Sequence, residues 1–346
     1  MSVTLHLRTA AWREHLASVV ASTPGIVPVA KGNGYGFGLG CLASETALLS
    51  AQNVDTMAVG MASEVAAVRN GGWTGDVVVL TPWSASDPVA TALLADDRVI
   101  TTVGRMDDLA RLARDHTGTR VVVERLTSMK RFGLEQADLA VVGRLLKDVC
   151  FEGWTIHLPM VSDPREVRVL ASSCLDAASA PLWLSHVPAA DYASLRDEFS
   201  VPTRLRIGTR LWLGAPATRR TTARVLDVHP VRRGEKVGYW QRRVRSDGWV
   251  VVLAGGTAHG IALEAPTTAA SLRQRAVSVA TGSMEALGLA LSPFELAGKK
   301  RLFIEPPHMQ HSMVFLPGAA SVAIGDEVPV ELRLTTATVD RIVDEP

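Results

Sequence analysis

The sequence predicts an α/β protein: a TIM (β/α)8 barrel over residues 1–217, followed by a mostly β domain over residues 218–346. Three observations carry this reading. Short β-branched runs alternate with helical apolar spacing from Ile26 to Gly208. Eight such runs occur in about 200 residues, the count and size of a TIM barrel. After Ala217 the helical stretches give way to strand-like runs separated by Gly, Pro and charged turns.

The eight runs are IVPVAK, TMAVG, DVVVL, RVITTV, RVVVER, GWTIHL, PLWLSHV and TRLRIG. Runs without polar alternation are buried on both faces, and alternation with helices joins parallel strands through right-handed crossovers. ASETALLSAQN, ASEVAAVRN, MDDLARLARD and LAVVGRLLKD are the clearest helices between them. An open doubly wound sheet would show the same alternation, but the count favours the closed barrel. In the second domain ARVLDVHPV, KVGYWQRRVR, WVVVLAGG, RLFIEP, SMVFLPG and DEVPVELRL read as strands, and the first few residues of the chain are candidates to pair with them. Apolar positions three and four apart over residues 267–292 predict a helical insertion.

Bulk properties narrow the function. The 346 residues carry a net charge of +1, which provides no basic field for nucleic acid or an anionic membrane. Cys41, Cys150 and Cys174 form no CxxC pair and have no His at zinc spacing, so neither a disulfide framework nor a metal is expected, and all three sit in runs that read as helical or buried. The opening MSVTLHLRTAAWREHLASVV has no basic-then-apolar leader pattern and no apolar run reaches membrane-spanning length, so the expected location is the cytoplasm.

In a barrel, functional residues cluster at the carboxyl ends of the strands. Lys31 ends the first run, Glu124 the fifth, with Met129, Arg131 and Gly133 just after it; His157 lies on the sixth, His186 on the seventh, and Arg206 with Gly208 on the eighth. A lysine at the end of a buried strand loses hydration, which lowers its pKa and frees the amine to attack a carbonyl. It can also extend its amine to solvent. The context is Lys31-Gly-Asn-Gly-Tyr35-Gly-Phe-Gly, whose four alternating glycines allow positive φ or close approach to a ligand. The spacing fits neither GxGxxG nor GxxxxGK[ST].

VPVAKGNGYGFG resembles the pyridoxal-phosphate (PLP) lysine signature of alanine racemases, a fold type III family. TSMKRFG, HLP, RLRIGTRLWLG, KVGYW, AGGTAHG and HMQHSMVFL are similar, in order, to further blocks of that family. The resemblance implies a PLP-dependent amino-acid racemase or epimerase with Lys31 as the imine-forming residue and one acid/base group at Cα. It implies Tyr35, Gly208 and Thr209 at the phosphate, His157 stacked on the pyridine ring and Arg206 facing the pyridine nitrogen. Arg206 would favour proton exchange at Cα over decarboxylation. Arg131 and Met309 would orient substrate or cofactor, and Glu124 would supply the charge that a carbamylated lysine often gives in the family. A homodimer with shared sites and a small amino-acid substrate are implied likewise.

The pattern departs from the family in three places. The second base of the family is a tyrosine in a block written GYADG; here the block is Gly-Thr257-Ala-His259-Gly. A threonine hydroxyl is too weak an acid or base near pH 7, whereas His259, His308 or His311 titrates in a useful range. Ala189 and Ala190 stand where Asn and Ser are common, and Val343 stands where a phosphate-binding tyrosine is expected. The helical insertion separates GTAHG from HMQHSM, and suggests a bulkier amino acid or the amino-acid part of a cell-wall precursor rather than free alanine. The alternative readings are a PLP-binding pseudoenzyme that senses, carries or scaffolds and, ranked last because of Arg206, a PLP-dependent decarboxylase or lyase.

Overall fold

The computed structural model describes residues 2–160, 163–263 and 290–346. The predicted fold class is the one observed: eight parallel strands in a barrel, and a mostly β second part. The chain folds as two compact units, one of residues 13–34 and 38–214, the other of residues 1–12, 35–37 and 215–346.

In chain order the elements through the barrel are β1 (Val3–Leu7), α1 (Thr9–Ala21), β2 (Ile26–Pro28), α2 (Leu39–Leu49), β3 (Thr56–Val59), α3 (Val65–Asn70), β4 (Asp76–Val79), α4 (Pro88–Ala92), β5 (Val99–Val103), α5 (Met106–Asp115), β6 (Arg120–Arg125), α6 (Leu139–Val142), β7 (Cys150–His157), α7 (Pro164–Ala177), β8 (Leu182–Ser185), α8 (Ala189–Glu198), β9 (Thr203–Ile207) and α9 (Thr209–Leu213). Strands β2 to β9 run parallel in the order β2-β9-β8-β7-β6-β5-β4-β3, and a parallel bridge from Val29 to Ala58 joins the two ends of the sheet. Val27, Val29, Ala58, Val78, Ile100, Val122 and Trp183 form one buried cluster on these strands, so the barrel is filled rather than hollow.

Local chemistry explains where the helices start. Asp87 and Asp163 accept from backbone N–H groups of α4 and α7, each followed by a proline at the first helical position. Helix α5 carries Asp107 and Asp108 in its first turn and Arg114 in its last, as the helix dipole favours. LAVVGRLLKD is not one helix: it breaks after α6, at Gly143, into a separate 3-10 turn over Leu145–Asp148. Cys150 is exposed at the start of β7 rather than buried, while Cys174 is buried.

The other unit contains β1 and the strands β10 (Arg219–Val231), β11 (Lys236–Val237), β12 (Arg242–Arg243), β13 (Gly248–Ala254), β14 (Leu291–Leu296), β15 (Lys299–Leu302), β16 (His311–Pro317), β17 (Glu327–Pro329) and β18 (Arg341–Asp344). Its main sheet runs β16-β13-β10-β1-β18, with β17 also paired to β10; β1 is antiparallel to β10. Phe294, Phe303, Val251, Leu253, Val314 and Leu316 are part of its buried core. KVGYWQRRVR forms not one strand but a small hairpin, β11 to β12, because Gly238 turns at φ +75 where a Cβ would lie 2.2 Å from Glu305 Oε2. The insertion expected at 267–292 lies outside the described residues except at its end, where Leu291 and Ser292 open β14 rather than continue a helix.

At the amino-terminal ends of the barrel strands, Arg120 Nε donates to Glu152 at 2.6 Å and its Nη2 to Asp76 at 2.7 Å, tying β6 to β7 and β4. The three side chains are 18–26% exposed, so the network is only partly screened by water. Arg120→Ala is expected to cost about 2 kcal/mol in urea unfolding, because it leaves the partly buried Glu152 without its guanidinium partner and Asp76 with Arg98 alone. A loss below about 0.5 kcal/mol would show that the network is not structural.

Candidate active site at the barrel strand ends

The site is built around Arg206, whose alternation on β9 points it into the unit, 7% exposed. Arg206 Nη2 donates to Ser185 Oγ at 2.9 Å and weakly to the Ile156 carbonyl at 3.4 Å, while its Nε is buried with no partner among the described residues. Burial lowers its pKa to about 10, with Arg131 lowering it further and Glu124 opposing. Because the Ser185 hydroxyl accepts from Arg206, its proton is free to go to His157 Nδ1, 2.9 Å away. His157 therefore carries its own proton on Nε2. Burial, then Arg206, Arg131, His186 and Lys31, hold the ring down to about 3, so it is neutral at physiological pH.

Glu124, penultimate on β6, is 3% exposed and lies 4.0 Å from Arg131 Nη2. Burial raises its pKa, and Arg206 and Arg131 pull against that rise. Arg131 is half in solvent on the loop after β6, where Gly133 takes φ +123 because a Cβ would lie 2.4 Å from the Leu126 nitrogen. The same loop is tied down by Thr127, whose hydroxyl donates to the His157 carbonyl at 2.9 Å.

Lys31 follows the last ladder bond of the first barrel strand, from the Ala30 N–H to the Ala58 carbonyl. The residue is exposed, as a strand-end lysine reaching solvent would be, yet its amine is still driven below the ordinary lysine pKa. Partial burial is the largest cause, followed by Arg131 and Arg206; Glu64 opposes. Glu64 fixes the backbone here: its carboxylate accepts from the N–H groups of Gly32 at 2.7 Å, Gly60 at 2.7 Å and Met61 at 3.0 Å. The glycines after Lys31 are used for backbone freedom, since Gly32, Gly34, Gly36 and Gly38 all take positive φ, and so does Tyr35 at 56°.

The structure thus brings together Lys31, Glu124, Arg131, His157 and Arg206. His186 lies one residue past β8 at φ 60 rather than on the strand, its ring centroid 4.9 Å from that of His157. Gly208 precedes α9 and Thr209 opens it, directly after the strand that carries Arg206. Ala189 and Ala190 open α8, and Val343 lies on β18.

Tyr35, Thr257, His259 and Met309 belong to the other unit. Tyr35 is buried, Met309 is 73% exposed, and Thr257 opens a one-turn 3-10 helix. His259 in that turn is engaged at both nitrogens: Nδ1 accepts from the Gly256 N–H at 3.3 Å and Nε2 lies 3.2 Å from Asp340 Oδ1. Its ring therefore braces the turn. Sequence reasoning missed Glu64 and Ser185. A serine ending the apolar run LWLS is a buried polar group needing a partner, and that was its only signal; Glu64 gave none.

Three comparisons bear on this arrangement. The family described as alanine racemase, N-terminal domain, matches residues 7–195. The alanine racemase of Nitratidesulfovibrio vulgaris is 26% identical over 268 residues, 68% of this chain and 70% of that protein. Among solved structures, the alanine racemase of Clostridium difficile 630 superposes with a TM-score of 0.68 at 15% identity, covering 95% of this chain and 86% of that one. The biosynthetic alanine racemase of Pseudomonas aeruginosa gives 0.68 at 19% identity over 96% and 91%, and that of Acinetobacter baumannii 0.67 at 15% over 99% of each. These structural likenesses establish the fold, and the match over more than half of the sequence establishes the kinship: the chain belongs to the alanine racemase family.

Proposed function

We propose that this protein is a PLP-dependent amino-acid racemase or epimerase with Lys31 as the residue that holds the cofactor. The observation that carries the reading is the charge balance at the barrel strand ends. Among the described residues, the negative charges that act on Lys31, Arg131 and Arg206 here are Glu124 and Glu64, and the Arg206 Nε is buried with no partner. Such a site suits an anionic ligand with several acceptor atoms, as PLP and an amino-acid carboxylate together would be. When bound, PLP supplies an aldehyde carbon for an amine and an electron sink that acidifies the substrate Cα–H.

Every other role falls to the chain. Lys31, with its amine made less basic by burial and two guanidinium groups, is the nucleophile and one proton carrier at Cα. Arg206, which keeps its charge at neutral pH, is assigned to the ring nitrogen, and neutral His157 to the ring face. Arg131 is assigned to the carboxylate or the phenolate oxygen, with Glu124 beside it as the fixed negative charge and Met309 as a further orienting residue. Tyr35, Gly208 and Thr209 are assigned to the phosphate, the latter two because the first N–H groups of a helix lack intrahelical acceptors.

The sequence over 267–292, between the GTAHG and HMQHSM blocks, supports extending the proposal to a substrate bulkier than free alanine. The family resemblance supports a homodimer in the cytoplasm. Among the described residues no helix is long and apolar enough to cross a membrane. Thr257, in the place of the family tyrosine, favours one second reading: a PLP-binding pseudoenzyme without turnover.

Solvent deuterium exchange at Cα over a panel of L- and D-amino acids separates the two. Exchange with inversion supports the isomerase; a visible, Lys31-dependent absorbance band without any exchange supports the pseudoenzyme. Turnover on free alanine as high as on any bulkier amino acid contradicts the substrate extension. Lys31→Ala is expected to remove the band and to lower exchange at least about 10²-fold, the lower range for loss of a general acid/base.

The His157 ring is expected to keep neutral-imidazole NMR shifts from pH 8 down to pH 5. The sign follows from its lowered pKa: the unfolded chain protonates near pH 6.5 and the folded ring only near 3, so this residue's contribution to stability falls as pH drops through that window. A His157 midpoint near 6.5 would contradict the neutral assignment.

A further inference from the structure

A charge taken out of water needs an opposite charge or a full set of hydrogen bonds to offset the hydration it loses. Among the described residues the buried arginines are Arg125 and Arg206, each 7% exposed. Arg206 has Glu124 opposing its charge. Arg125 ends β6 on the face of the strand opposite Glu124, since neighbouring strand residues alternate, and its charge is felt there by Cys174 of α7. Burial pushes the Cys174 thiol up to about 12, so it is a neutral neighbour and gives Arg125 no counter-charge.

Every acceptor that Arg125 meets is neutral. Nη1 donates to the Leu134 carbonyl at 2.6 Å and weakly to that of Leu126 at 3.4 Å, and Nη2 donates to Gln136 Oε1 at 2.9 Å. Among the described residues the buried Nε has no partner, and no carboxylate lies within ion-pair distance of the group. The Leu126 N–H donates to the same Leu134 carbonyl at 3.0 Å, which closes the loop 126–134 at its base.

Arg125 borders a surface hollow of about 340 Å³ within the barrel unit, lined also by Thr127, Ser128, Lys130, Glu135 and Gln136. Thr127 spends its hydroxyl on the His157 carbonyl, and Ser128 spends its N–H and hydroxyl on Glu166 at 2.8 and 3.0 Å. The other donors are uncommitted. Lys130 is exposed and has no ion pair among the described residues, and the Gln136 amide, with Oε1 turned to Arg125, keeps its NH₂ group for another acceptor. Exposed Glu135 offsets one of the two cations, so the hollow stays net positive and offers guanidinium, ammonium and amide donors together.

We propose that this hollow is a second anion site, in which a phosphoryl group takes the place of Gln136 Oε1 against Arg125 and is also bound by Lys130 and the Gln136 amide. The gain comes from exchanging a neutral acceptor for a charged one at a buried guanidinium, whose planar fork matches two phosphoryl oxygens. A third oxygen then meets the ammonium or the amide, which a carboxylate, with two oxygens, does less completely. The occupant is inorganic phosphate or the end of a small phosphate monoester. The site stands apart from Lys31 and does not rest on the isomerase reading.

Calorimetric titration of the full-length protein, kept in excess PLP, with inorganic phosphate, glycerol 3-phosphate and acetate tests the site. Phosphate or its ester is expected to bind, and Lys130→Ala and Gln136→Glu are each expected to raise its Kd at least about tenfold, the factor that one charge-assisted hydrogen bond is worth. Whichever of the two binds more tightly identifies the source of the phosphoryl group. Absence of binding, equal affinity in both variants, or acetate bound as tightly as phosphate overturns the proposal. Gln136→Glu also gives a reading without any ligand: in phosphate-free buffer its thermal midpoint is expected to rise, because the glutamate supplies the counter-charge that Arg125 lacks. An unchanged or lower midpoint overturns the premise that this guanidinium is uncompensated.

Discussion

The candidate site depends on one constraint, the burial of the Arg206 guanidinium at the end of a central barrel strand. A charge in that position must be hydrogen-bonded or balanced. Ser185 and the Ile156 carbonyl supply hydrogen bonds, and Glu124 supplies opposing charge. The rest follows from these contacts. Because Ser185 accepts from Arg206, it gives its proton to His157, and burial, helped by the cationic surroundings, keeps that imidazole neutral. The same field, with partial burial, makes Lys31 a better nucleophile than a solvated lysine. Burial, with the charges of Arg206 and Arg131 beside it, thus sets the protonation of His157 and Lys31.

The barrel was legible because its strands are buried on both faces, so each of the eight apolar runs appears uninterrupted in the sequence. Lys31, Glu124, Arg131, His157 and Arg206 were legible for a related reason: each sits at or just after the end of such a run, where a charged or titratable residue stands out. The second unit was harder to read. KVGYWQRRVR has strand-like composition, but the close approach of Glu305 to Gly238 turns it into a hairpin, and the two residues are far apart in sequence. Strands β14 and β18 are short edge elements whose pairing is set by tertiary contacts rather than by pattern.

Ser185 and Glu64 illustrate the same limit on the chemical side. Each matters because of a hydrogen bond, and no spacing rule reports it. Glu64 binds three backbone N–H groups on two loops, and nothing in GMASEV distinguishes it from an ordinary surface glutamate. His259 shows the converse. It lies two residues from the position of the family tyrosine and was attractive as a replacement base, yet its ring is occupied in holding the turn against Asp340.

Membership of the alanine racemase family and the charge pattern of the barrel are the two grounds for proposing PLP as the cofactor. The central claim is that Lys31, rather than any other amine of the protein, is the nucleophile of the site. Borohydride reduction after incubation with PLP, followed by peptide mass mapping, tests it most directly. The account predicts stoichiometric label on the peptide containing Lys31 and none after Lys31→Ala. Label spread over surface lysines, or unchanged in Lys31→Ala, would contradict it.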